Sequence, residues 1–359
     1  MTEVTNTDRV AEADAQNLAL SSASNASPQT YWSLVKRQYR RNKLAVIAFW
    51  FIIVMFAVAL FADFLANDRP IVCSYKGTVY VPVMQEYLMM VGLSDYPAEL
   101  MNADWKLLEY DWSVFPPVPY SSTGTDLINS FAAPFTGDHF LGTDQIGRDI
   151  LSGLIHGARI SLSIGLVAMA IEIIIGVTLG ALAGYFGGLV DIVISRLIEL
   201  FLNFPTFFLI LTIVAFLGAN IFYVMIIIGL TGWMGVARLV RGEVLRVRNN
   251  EFVPAAISLG FGSLRVIFRH VLPNSLAPVL VSVAFGVAGA ILIESTLSFL
   301  GVGVPLETVT WGSALNASRG APSAWWLAVF PGLLIFLTVV SYNLIGDGLR
   351  DATDPRLKM

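Results

Sequence analysis

"EFVPAAISLGFGSLRVIFRHVLPN", Glu251 to Asn274, lies between two long apolar runs and decides how the chain is read. It is too charged to cross a bilayer and too regularly patterned for a slack loop. Phe252, Ala255, Ala256 and Leu259 fall at i, i+3, i+4 and i+7, one face of a helix. Asn249 or Asn250 can cap its start, and Pro254 is tolerable in a first turn. Gly260 and Gly262 break the helix, Ser263 can cap a second, and Pro273 ends that one. Leu264, Ile267, Phe268 and Val271 repeat the same spacing, with Arg265 and Arg269 on the opposite face. Two short amphipathic helices joined by a glycine turn form a compact knob. Such a knob either lies on lipid headgroups through its arginines or docks a partner protein in a groove.

The surroundings of this stretch set the class. Of 359 residues, 56% are hydrophobic and only 13% charged, against about a quarter charged in soluble domains. Membrane burial follows, and the fold class expected is an all-α polytopic membrane protein. Six apolar runs are long enough to span: Leu44–Leu65, then approximately Ile160–Tyr185, Leu197–Leu217, Phe222–Ala237, Ser275–Leu300 and Trp325–Ile345. The basic run "KRQYRRNK", Lys36 to Lys43, places the N-terminus in the cytoplasm. The loop Arg238–Asn274, with six arginines, and the C-terminal tail with Arg350, Arg356 and Lys358 fall on the same side. Trp311, Trp325 and Trp326 suit an outer interface belt.

The expected domains are a largely disordered tail over 1–43, a first transmembrane helix over 44–66 and an extracytoplasmic insert over 67–150. A core over 151–349, with a cytoplasmic loop over 240–274, and a tail over 350–359 complete the chain. The insert is acidic and rich in proline and aromatic residues, as in "DWSVFPPVPY" (111–120), and reads as loop-rich with little regular helix. Three histidines and one cysteine leave no disulfide framework within the chain and no cysteine-based zinc site. His139 and His156 have no recognised ligand spacing, so neither a metal site nor a membrane enzyme is expected. No G-x-x-x-x-G-K-[ST] phosphate loop occurs, so no nucleotide cofactor is expected on this chain. Nothing points to nucleic acid.

"AAISLGFGSLRVIFRHVLPN" resembles the cytoplasmic signature of ABC-importer permease subunits, E-A-A, three residues, Gly, nine residues, Ile, one residue, Leu-Pro. Ala255, Ala256, Gly260, Leu272 and Pro273 match; Pro254 stands at the Glu position and His270 at the Ile position. "HFLGTDQIGRDILSGLIHGARISL" (His139–Leu162), "ESTLSFLGVG" (Glu294–Gly303) and "NLIGDGLRDATDPRLK" (Asn343–Lys358) are similar to the dipeptide, oligopeptide and nickel branch. The long insert, with "ANDRPIVCSYKGTVYVP" near its start, resembles members linked to microcin C-type and oligopeptide uptake.

The resemblance implies a type I ABC-importer permease fold and the second of two unlike permease subunits, in a cytoplasmic (inner) membrane. Its partners would be the other permease, two ATP-binding subunits and an extracytoplasmic solute-binding protein. ATPase coupling would fall to Ala255, Ala256, Gly260, Arg265, Arg269 and Pro273. Glu172, within the second run, either lines the path or sits at a helix interface, and Glu294 is read as a structural partner. Gly142, Asp144, Arg148 and Asp149 mark an outer-mouth motif in which Arg148 can pair with Asp144. A secondary transporter is the competing class; it predicts internal repeats and coupling-ion residues at the midplane.

Overall fold

The computed structural model describes residues 31–93, 100, 103–305 and 308–353. Residues 1–30 of the tail expected to be largely disordered over 1–43, and Arg356 and Lys358, lie outside the described residues, whereas the rest of that tail carries a helix. Helix α1 is Tyr31–Tyr39 and α2 Lys43–Leu60, started by the Asn42 side chain on the Ala45 N–H. A turn at Phe61 leads to α3, Ala62–Leu65, so the first span stops before the boundary read from composition.

The insert holds more regular structure than expected. Strands β1 (Val72–Tyr75), β2 (Thr78–Tyr80) and β3 (Trp112–Val114) form an antiparallel sheet in the order β2-β1-β3. Lys76 and Gly77 both have positive φ, which suits the tight turn between β1 and β2. Asp111 accepts from the Gly77 N–H and the Ser74 hydroxyl, and these bonds hold its carboxyl below the usual range. Helix α4 (Pro82–Met90) follows. Cys73 is free and buried with Leu100 and Trp105, a packing role.

Helix α5 runs unbroken from Ile150 to Phe186, 37 residues, or about 55 Å, longer than a bilayer core of about 30 Å. The run read as one span over Leu197–Leu217 is broken. Helices α6 (Gly188–Leu202) and α7 (Thr206–Leu217) meet at 79°. Pro205 explains the break, because it has no N–H to continue the ladder and disfavours helix in the residue before it. Helix α8 (Ile221–Arg248) continues past the expected end at Ala237, so the loop proper begins at Asn249. Among the described residues five helices are long and apolar enough to cross a membrane, and counting the bent pair as one span gives six.

Helices α5 and α8 form the central seam. A Cβ added at Gly176, Gly180 or Gly184 would lie 2.6 Å from Val236 Cβ, 2.5 Å from the Ala237 carbonyl and 2.8 Å from the Arg241 carbonyl. Glycine every fourth residue thus lets the backbones touch, as small-residue seams do in membranes. Four short elements follow: α9 (Phe252–Ser258), α10 (Ser263–Val266), a π turn (Ile267–Val271) and α11 (Leu272–Ser275). The remaining long helices are α12 (Ala277–Phe299) and α14 (Trp326–Thr353), with α13 (Trp311–Asn316) between them.

Two of the three tryptophans expected in an interface belt are buried pins. Trp311 donates to the Leu154 carbonyl and Trp326 to that of Thr143, whereas Trp325 is exposed. Glu294 is fully buried and accepts from Ser298 at 2.8 Å and, at longer range, from Ser295 and Ser161. Ser161 in turn accepts from the Trp311 N–H, so this acid joins α5, α12 and α13.

Candidate functional site

The 251–274 stretch is built on a rigid base. At its start, neither Asn249 nor Asn250 caps α9 through its side chain; Asn249 donates back to the Leu245 carbonyl of α8. At the end of α9, Gly260 adopts φ +82°. Its N–H donates to the Ile257 carbonyl and the Phe261 N–H to that of Ala256, the paired bonds of a Schellman C-cap. Ser263 is the first residue of α10 rather than its cap.

Pro273 does not end the second helix. The Leu272 N–H reaches five residues back to the Ile267 carbonyl, and the chain stays helical to Ser275. The wider π turn accommodates a proline ring that would otherwise crowd the preceding carbonyls. The side chains of Asn274 and Ser275 donate to the carbonyls of His270 and Val271.

Only part of each expected apolar face is buried. Val253, Ala256, Val266, Ile267, Val271 and Leu272 join the main core. Ala256 is therefore unavailable to a partner, while Ala255 remains exposed. Phe252, Ile257, Leu259, Leu264 and Phe268 are exposed along this stretch, as are Arg265 and Arg269. Arg265 lies 5.4 Å from the Phe261 ring centroid, and that ring stacks on His270 at 5.8 Å. His270, a departure from the signature, thus gains a stacking role.

Two clamps that the sequence reading missed tie α8, which runs into this stretch, to its neighbouring helices. Arg241 of α8 grips both carboxylate oxygens of Asp191 on α6, with its Nη2 2.7 Å from Oδ2. Arg248 donates to the Tyr185 carbonyl at 2.7 Å and more weakly to that of Gly184, satisfying the end of α5. The available signal was Asp191, an acid among the apolar residues between two of the runs. A cavity of about 460 Å³ lies here, lined by Tyr185, Arg248, Asn249, Val253, Pro254 and Ile257.

Glu172 sits in the α5–α8 seam, 9% exposed, and a Cβ at Gly232 would fall 2.1 Å from its Oε1. The missing side chain at Gly232 is what makes room for the carboxylate. This placement favours the helix-interface alternative.

The motif expected at the outer mouth is a pinned turn. Gly142 and Gly147 have φ +81° and +76°, and a Cβ at Gly147 would overlap the Asp126 backbone. Asp144 does not pair with the Arg148 side chain; its Oδ1 accepts the backbone N–H groups of Ile146 and Arg148, both at 2.9 Å. The turn is not helical, so the one-turn spacing behind the expected pair does not apply. Asp149 caps α5 through the Ser152 N–H and receives His139 Nδ1 at 2.9 Å. At the start of the insert, Asp63 of α3 meets Arg159 of α5 at 2.8 Å and Tyr87 of α4. Burial pushes the Asp63 carboxyl up, but the Tyr87 and Arg159 bonds and the Arg159 charge outweigh it and hold it below the usual range.

The long seam, the broken span and the helical knob are accompanied by a direct sequence match. Residues 176–359 match the family described as binding-protein-dependent transport system inner membrane component, and residues 30–76 match the N-terminal TM domain of oligopeptide transport permease C. This chain belongs to the binding-protein-dependent transport permeases.

The permease is 42% identical over 249 residues to the dipeptide transport system permease protein DppC of Alkalihalophilus pseudofirmus, covering 68% of this chain and 82% of that one. It is 32% identical over 351 residues to the peptidoglycan transport system permease protein YejE of Agrobacterium fabrum, covering 89% and 92%. With the oligopeptide transport system permease protein OppC of Haemophilus influenzae, identity is 42% over 66% of this chain and 77% of that one. The MetNI methionine ABC transporter, in an inward-facing crystal form, shares 16% identity over 57% of this chain and 98% of that one at a TM-score of 0.48.

Proposed function

We propose that this permease is one of two unlike membrane subunits of an ATP-driven importer for peptides or peptide-like solutes. The knob over residues 251–274 would dock an ATPase subunit. The observation that carries the docking role is the exposed set Phe252, Ile257, Leu259, Leu264 and Phe268, presented beside Arg265 and Arg269 on a buried base. The names of the relatives support the solute class. The Lys/Arg bias supports a cytoplasmic knob and cytoplasmic termini.

The mechanism follows from rigidity. The Arg241–Asp191 and Arg248–Tyr185 contacts tie α8, which leads directly into the knob, to α6 and α5, so force on the knob would reach the seam through a braced helix. ATP binding on partner chains would draw this knob toward its counterpart on the other permease. The spans would swing from inward-open to outward-open, with the shift set by the differential affinity of ATP for the two states. Gly142, Asp144 and Asp149 pin the outer mouth, where a solute-binding protein would deliver cargo.

Peptide uptake in intact cells tests the energy source. Uptake should stop when ATP is depleted with the proton gradient intact. Uptake that survives this would move the protein to the secondary transporters. The lipid-surface alternative for the knob predicts binding to anionic vesicles and no association with an ATPase.

A further inference from the structure

A cavity of about 440 Å³ opens at the insert end of α5, within the size range of small-ligand sites. Ile150, Val304, Pro305 and Val309 give it apolar walls, and Arg148, Asp144 and Asp149 line one side. Most of its polar groups are committed elsewhere. Ser298 donates to Glu294, Asn316 to the Phe299 carbonyl, and Ser313 to backbone around Thr310. Both Asp149 oxygens are occupied, by His139 and the Ser152 N–H, and Asp144 accepts two backbone N–H groups through Oδ1.

Arg148 is the exception. Its backbone is fixed in the turn by bonds to Asp144 in both directions. Its guanidinium forms no ion pair among the described residues, and its Nε is buried without a hydrogen-bond partner. Arg148 lines the cavity with its guanidinium unpaired among the described residues, and an unpaired guanidinium on a cavity wall is suited to an anionic partner. Ser122 and Gln145, on the same lining, add donors that make no hydrogen bond within the described residues.

We propose that this cavity is a carboxylate subsite at the outer mouth, in which Arg148 holds the C-terminal carboxylate of an incoming peptide. The apolar walls receive the terminal side chain. A planar guanidinium matches the two oxygens of a carboxylate, and the apolar walls strengthen the pairing by excluding water. The identification of the ligand as a peptide rests on the proposed importer role; the carboxylate chemistry does not.

The test is calorimetric titration of the full-length chain in lipid nanodiscs with trialanine, trialanine amide and hexanoate. Trialanine should saturate the site, with the amide weaker by about tenfold or more, the scale of a lost charge-assisted bond. Arg148→Gln should bind acid and amide alike, and Arg148→Lys should retain part of the preference. Gel filtration and unfolding temperature establish that each variant is folded. The wild-type acid–amide comparison stands even where a variant fails. Equal binding of acid and amide by the wild type, no saturable binding of the acid, or a preference that survives Arg148→Gln would each overturn the proposal. Hexanoate binding above trialanine, with the same Arg148 dependence, would uphold the carboxylate site and count against peptides as its ligand. ATP-dependent peptide uptake by the intact transporter, with acids and amides carried equally and Arg148→Gln unimpaired, would overturn the subsite while leaving the importer role standing.

Discussion

Substitution at Gly260 should uncouple the permease without unfolding it. Its φ is +82°, and an added Cβ would meet nothing within 4 Å, so the penalty is conformational rather than steric. A backbone held in such a region by an unsuited residue costs about 1–3 kcal/mol. A free-energy change of that size shifts the turn equilibrium roughly 5- to 150-fold. Asparagine tolerates the left-handed region, alanine less, and β-branched valine least. Coupling should therefore fall in the order Gly260→Asn, Gly260→Ala, Gly260→Val. The core beneath is supplied by Val266, Ile267 and Val271, which the substitutions leave in place, so abundance in the membrane should stay near the wild-type level. The assay is ATPase co-purification with peptide uptake in reconstituted vesicles, at equal permease per sample. Normal pull-down and full uptake by Gly260→Val, or the same loss from all three variants, would refute the reasoning.

Three other substitutions probe separate parts of the account. Gly180→Val puts a side chain where the Ala237 carbonyl lies 2.5 Å from a Cβ, so the seam should lose at least the usual ~1–3 kcal/mol of overpacking, read as a lower unfolding temperature in detergent. Asp63→Asn should loosen the insert by no more than ~1 kcal/mol, because the Arg159 pair is partly exposed, with faster proteolysis of the insert as the readout. As the Asp63 carboxyl is held below its ordinary value of 3.8, its contribution is fully present above that pH and is lost as pH falls through the lowered value; the proteolysis rate should rise only in that acid window. For topology, a cysteine at Ser121, in a Cys73→Ser background, should react with an impermeant thiol reagent in spheroplasts, and one at Asn249 only after the membrane is opened. The reverse pattern would overturn the orientation.

The apolar runs and the glycine turn were legible because each is a local pattern: composition over a window, or a Gly closing a helix. The features that were not legible depend on partners distant in sequence. The β1–β3 pairing joins Cys73 to Ser113, and no local period announces it. The Arg241–Asp191 clamp spans two helices, so the arginine alone read as topology charge. Burial of Ala256 but not Ala255 depends on how the knob seats on the core, which spacing along one helix leaves open. Pro205 was visible, yet apolar character on both sides masked a 79° break. In the motif expected at the outer mouth, the Asp144–Arg148 pairing assumed a helix where Gly142 and Gly147 impose a turn.

Cross-linking from the knob tests the central claim most directly. Leu264 is 61% exposed on the knob, whereas Leu127 is 73% exposed in the insert, so both positions are open to a reagent. In a Cys73→Ser background, Leu264→Cys in the assembled, transport-competent complex should form a short-reach thiol cross-link to an ATPase subunit, and Leu127→Cys should form none. A Leu264→Cys complex that transports peptide, takes lipid-soluble label at that cysteine and yields no cross-link to an ATPase would contradict the account and leave the knob lying on the membrane surface.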